Sequence, residues 1–103
     1  MSNSITWKQD NTAQIVELEH YGARIHSLAR DVWEIEVFQY ETDPDDPSVK
    51  YRMRDDNGGY YLQGVVPSEV MAKMIAGGTV KILNENEVAR IRALATLTPG
   101  DAT

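Results

Sequence analysis

Three groups of side chains in this sequence have types and spacing suited to chemistry. The first is His20 and His26, with Glu19 beside them. Six residues apart on a helix, the two rings would lie about 120° apart around the axis, poorly placed for one metal ion. On a hairpin turning at residues 22–24 they would face each other. With Glu19 they would then hold a metal or exchange protons.

The second group is the acidic run Asp43, Asp45 and Asp46. Its carboxylates are hard oxygen ligands of the kind Ca²⁺ takes. The run lacks the glycine and the distal glutamate of an EF-hand loop, and Pro44 and Pro47 stiffen it. Asp55 and Asp56 stand beside Asn57-Gly58, where acids act as turn formers in water. The third group is Lys50, Arg52 and Arg54, alternate positions of one strand, with Tyr40 and Tyr61 beside them. Charge with aromatic stacking is the chemistry of single-stranded nucleic acid binding. Glu34 and Glu36 on the neighbouring strand would neutralise that stripe. The chain has no cysteine, no Gly-x-Ser-x-Gly, no Ser-x-x-Lys and no glycine-rich phosphate loop. The sequence therefore assigns no catalytic set, no metal site and no cofactor.

The elements that must position these groups follow from length and periodicity. At 103 residues the chain is read as one domain, with residues 98–103 a frayed tail. Leu18, Tyr21, Ile25, Leu28 and Val32 recur at spacings of three and four, which predicts a helix over residues 13–30. The β-rich Ile15-Val16 and the glycine at 22 leave a hairpin as the alternative. Residues 32–41 alternate as a strand: Trp33, Ile35 and Val37 against Glu34, Glu36 and Phe38. A proline loop over 43–47 leads to a second strand over 49–54. Asn57-Gly58 is a type I′ hairpin signal leading to a third. That register pairs Met53 with both Leu62 and Val37 on the buried face, and places Arg54 by Glu36 and Lys50 by Tyr40 outside.

Pro67-Ser68 opens a short helix that ends at Gly77-Gly78. A strand over 79–83 and a helix over 84–95 complete the chain. The expected fold is α+β: a three-stranded antiparallel meander over 32–65, plus one or two further strands, packed on two or three helices. Val70, Met74, Ile25 and Ile91 are the expected helix contacts of the core.

Sixteen acids against ten bases give a net charge of −6, which disfavours nucleic acid as partner. No run is long enough to span a membrane, and the N-terminus lacks a basic and an apolar segment, so a cytoplasmic location is expected. These features point to a non-catalytic binding or inhibitor protein, like small phage and bacterial accessory proteins. Such a module would occupy another protein's basic surface with Glu17, Glu19, Asp43, Asp45 and Asp46, which imitate the charge of nucleic acid. The alternatives are an enzyme or metal binder using His20 and His26, and a nucleic-acid binder using Tyr40, Lys50, Arg52, Arg54 and Tyr61. Trp7, read as exposed, and an open sheet edge would allow a homodimer.

Overall fold

The computed structural model describes residues 5–53 and 60–96. Six strands form a curled antiparallel sheet: β1 (Lys8–Asp10), β2 (Ala13–Glu17), β3 (Tyr21–Ala29), β4 (Val32–Asp43), β5 (Asp46–Arg52) and β6 (Tyr60–Val66). One helix, α1 (Glu69–Thr96), follows them. The fold is α+β with an antiparallel sheet, and it has one helix among the described residues, not two or three.

Residues 13–30 are a hairpin, which corrects the predicted helix. β2 and β3 pair with Val16 opposite Ala23 and Glu17 opposite Gly22. The turn lies at residues 18–20, closed by the Leu18 amide donating to the Tyr21 carbonyl at 2.8 Å. Tyr21, Ala23 and Ile25 alternate inward, while Gly22, Arg24 and His26 take the opposite face. The three-and-four spacing was misleading because Leu18 belongs to the turn and Leu28 is exposed. Two tight turns bracket the hairpin, at Asn11 and at Asp31, both with φ of 59°. Asn and Asp adopt that left-handed region more readily than other side-chain-bearing residues.

β4 is the spine of the sheet. It pairs with β3 along one edge, Ile25 opposite Ile35 and Arg24 opposite Glu36. The other edge carries β6 along Trp33–Phe38, with Val37 opposite Leu62, and β5 along Tyr40–Asp43, with Tyr40 opposite Arg52. Adjacent residues of a strand point their amides to opposite edges. The Tyr40 amide donates to His20 of the β2–β3 turn, and the Gln39 carbonyl accepts from Met53. β5 and β6 thus occupy successive stretches of one edge of β4.

This corrects the predicted meander: among the described residues β6 pairs with β4 and not with β5, so Leu62 faces Val37 where Met53 was expected. The register of β5 shifts as well. Tyr40 faces Arg52 instead of Lys50, and Glu36 faces Gln63. A shift of two residues between β4 and β5 preserves which face each side chain occupies. The β4–β5 turn is shorter than the predicted loop. Pro44 and Asp45 alone form it, and Pro47, Ser48 and Val49 bulge between the pairs Thr42–Lys50 and Asp43–Asp46. The predicted turn at Asn57-Gly58, Arg54 and the tail over 98–103 lie outside the described residues.

Helix α1 starts where Ser68 caps it, its hydroxyl accepting from the Met71 amide at 3.1 Å. It runs straight through Gly77-Gly78 and through the predicted strand 79–83. Ala72, Ala76 and Val80 form a fully buried stripe that lies across β3 and β4 and spans the glycine pair. Leu83 packs at the edge of the same core. Burying that stripe without interruption outweighs the cost of about 1 kcal/mol per mid-helix glycine. Gly77 sits under Trp7 and Ile5, so Trp7 packs on the core and is not the exposed residue expected. Trp33, Ile35, Val37 and Leu62 belong to the core as predicted, whereas Met53, expected with them, is not among the residues packed on it. Val70 and Met74, predicted in the core, are instead among the most exposed side chains of the helix, and Ile91 is exposed too. No described helix is long and apolar enough to cross a membrane.

Candidate functional site

The face of the sheet turned away from α1 is where the polar candidates converge. Its centre is Glu36, only 6% exposed. Arg24 lies directly opposite on β3 and its guanidinium donates to Glu36 at 3.3 Å. The same Arg24 nitrogen stands 3.1 Å from Nδ1 of His26. A guanidinium only donates, so Nδ1 accepts and the ring proton sits on Nε2. That nitrogen is 3.2 Å from Glu34, its cross-strand neighbour. Burial, with the Glu36 carboxylate nearby, pushes the Tyr60 hydroxyl above its ordinary pKa.

Beside this chain of ion pairs lies an aromatic group around Phe38, itself 1% exposed. The Arg52 guanidinium stacks over the Phe38 ring at 3.9 Å, and Tyr40 meets the ring edge-on at 5.5 Å. Lys50 lies over the Tyr40 ring at 4.8 Å and donates to the Leu18 carbonyl at 3.2 Å. The Tyr40 hydroxyl donates to Glu17 at 3.0 Å; burial first, then this carboxylate, raises its pKa strongly. Gly22 completes the group. A Cβ there would stand 2.7 Å from the Phe38 ring and 2.7 Å from the Tyr40 hydroxyl oxygen. Gly22→Ala is expected to lower stability by about 1–3 kcal/mol through overpacking, read from urea unfolding. An unchanged midpoint would show that the two rings move aside freely.

These contacts unite part of both predicted sets. Tyr40, Lys50, Arg52 and Glu17 are neighbours at one end of the sheet. Tyr61 is not with them: it is largely exposed and meets Tyr21 edge-on at 6.2 Å. Glu19 projects from the β2–β3 turn, 3.3 Å from His20.

The acids of the β4–β5 hairpin shape its turn. Asp43 accepts from the Asp45 amide at 2.8 Å and from the Tyr51 hydroxyl. Asp46 accepts from the Ser48 amide at 3.1 Å and from its hydroxyl at 2.7 Å. The Tyr51 bond foremost for Asp43, and the Ser48 hydroxyl for Asp46, hold these carboxyls below their usual range. Both therefore stay ionised in water. Because the Tyr40 amide bonds His20 and Lys50 bonds Leu18, this hairpin adjoins the β2–β3 turn. Glu17 and Glu19 of the turn and Glu41, Asp43, Asp45 and Asp46 of the hairpin thus belong to adjoining segments. Glu17 shares a face with Tyr40, Lys50 and Arg52, Glu41 alternates to the other, and Glu19 lines a cleft with Arg92.

The two histidines are not brought together. His26 pairs with Glu34 on the outer face. His20 belongs to the turn, its amide donating to Asn84 of α1 at 2.7 Å. His20 and Glu19 line a shallow open cleft of about 300 Å³ with Val88, Ile91 and Arg92. Among the described residues no three His, Asp or Glu side chains converge as a metal site, and no buried side-chain nitrogen or oxygen lacks a partner.

The Arg24–Glu36 pair escaped the sequence reading, although its signal was present. Read as a strand, residues 21–26 alternate, and opposite charges fall at facing positions of β3 and β4. No family model, curated protein or solved structure matches the chain.

Proposed function

We propose that this protein is a non-catalytic binding module that occupies a basic surface of another protein with the acidic end of its sheet. The supporting observation is the junction of the β2–β3 turn with the β4–β5 hairpin. It joins Glu17 and Glu19 of the turn to the strand pair that carries Glu41, Asp43, Asp45 and Asp46. Arg92 lines the cleft of Glu19, and Lys50 and Arg52 lie beside Tyr40, which holds Glu17. Lys50 and Arg52 are committed to aromatic rings of the protein itself, which weakens their call on a phosphate backbone. The finer reading, an inhibitor that imitates nucleic-acid charge, extends the same argument to a partner that normally binds nucleic acid.

Exposed charges act over a screening length of about 8–10 Å near physiological salt, so they steer encounter more than they hold a complex. Capture from cell extract at low salt, with identification by mass spectrometry, should retain basic proteins that raised salt releases. Replacing Asp43, Asp45 and Asp46 together by Asn should slow association with the captured partner about tenfold while circular dichroism stays unchanged. An identical association rate for the triple variant would reduce these acids to turn formers. Turnover of a substrate lost with His20→Ala or His26→Ala would replace this reading with an enzymatic one.

A further inference from the structure

Helix α1 has two apolar stripes, and the sheet covers only one. The inner stripe is Ala72, Ala76, Val80 and Leu83. The outer stripe is Met71, Met74, Ile75, Gly78 and Ile82, spaced by three and four, with Val70 at its margin. Val70 is 68% exposed, Met74 70% and Ile82 59%, and Met71 and Ile75 are exposed as well. Nothing else in the described chain lies over this side of the helix.

We infer that the outer stripe is the interface of a symmetric dimer, in which two α1 helices cross antiparallel at Gly78. Three observations select a second copy as the occupant. First, Gly78 is exposed and a Cβ built on it meets nothing within 4 Å. Its own fold gives no reason for a mid-helix glycine there, whereas a crossing helix gains close backbone approach. Second, the stripe suits a twofold axis at that residue. Met74 and Ile82 stand four residues to either side, so each Met74 meets the Ile82 of the other copy. A patch that complements itself in this way is what an isologous dimer requires. Third, the five large side chains leave on the order of 500 Å² open per copy. A pair would then cover about 1,000 Å², the threshold of a specific interface.

Charge does not oppose the pairing at the stripe, despite −6 on each copy. Lys73 is bonded to Glu69 at 3.2 Å and Arg90 to Glu87 at 2.6 Å within one helix. Lys81 and Glu85, at the outer flank, carry opposite signs. In the antiparallel arrangement they lie across from Ile75 and Met71, which their aliphatic stems can cover.

The chain has no cysteine, so a single introduced thiol reports the crossing point. Sedimentation of the wild-type protein should show a concentration-dependent equilibrium between 11.6 kDa and twice that mass. Under mild oxidation Gly78→Cys should become a covalent dimer, and Lys8→Cys on the edge strand should not. Met74→Glu should weaken the dimer at least about tenfold, and Ile82→Lys likewise, with unchanged circular dichroism. Combining the two should restore association, because opposite charges then face each other across the axis. A wild-type monomer at every concentration overturns the inference. So does crosslinking through Lys8→Cys that equals that through Gly78→Cys, which would place the contact at the sheet edge.

Discussion

Phe38→Ala should cost about 3–5 kcal/mol of folding stability, as truncation of a buried aromatic does. The position looks unremarkable in sequence, one aromatic on the polar side of a strand between Glu36 and Tyr40. In the fold its ring is enclosed by Gly22 opposite, by the stacked Arg52 guanidinium and by the Tyr40 ring. The substitution would leave a hole that none of these can fill. Tyr40 is held by Glu17, and Gly22 has no side chain to move. Arg52 would also lose the ring that its charge rests on. Ile35→Ala, on the face covered by α1, should cost about 2–5 kcal/mol. Domains of this size hold only about 5–15 kcal/mol in total, so either variant should shift urea unfolding far to lower concentration. Comparable losses would establish that the sheet has a core on both faces. A loss below about 1 kcal/mol for Phe38→Ala would mean that the face away from the helix is open, and that the ring lies on a surface.

The parts of this fold that sequence made legible are those where local pattern and tertiary context agree. β4 alternates cleanly, and Trp33, Ile35 and Val37 do face the core. The Pro44 turn and the Ser68 cap also stand where expected. The failures have physical causes. In residues 13–30, Tyr21 and Ile25 satisfy a four-residue period and a two-residue period at once. Only the pairing of β3 with its neighbours β2 and β4 decides between them, and no local period reports that pairing. At Gly77-Gly78 a local helix-stop signal was overridden by the continuous burial of Ala76 and Val80. The sheet register failed by two residues because Pro47, Ser48 and Val49 bulge, and a bulge leaves no mark in the alternation on either side. The candidate site was legible as residue types and not as a place. Tyr40, Lys50 and Arg52 lie together around Phe38, but the contacts that join them to Glu17 and Leu18 depend on the β2–β3 hairpin, which the local periodicity does not reveal.

Gly78→Pro should destabilise the protein by about 3 kcal/mol or more and remove a large part of its helical circular dichroism. The reasoning rests on α1 being one helix of 28 residues. A proline at 78 removes the amide that bonds the carbonyl four residues before it. Its ring also collides with that carbonyl, at Met74. The resulting kink would lift Val80 and Leu83 off the sheet, since both lie just beyond the break on the inner stripe. It would also separate Asn84 from the His20 amide that it accepts, freeing the β2–β3 turn from the helix. Gly78→Ala is the matched comparison: its Cβ meets no atom within 4 Å, and alanine favours the helix by about 1 kcal/mol. In the isolated protomer the alanine variant should therefore be equal to or more stable than wild type, while the proline variant is much weaker. If the chain instead broke at Gly77-Gly78 into two segments, proline at 78 would be tolerated and alanine would bring no gain. Urea titration of the two variants, followed by helical circular dichroism at low protein concentration, separates these outcomes.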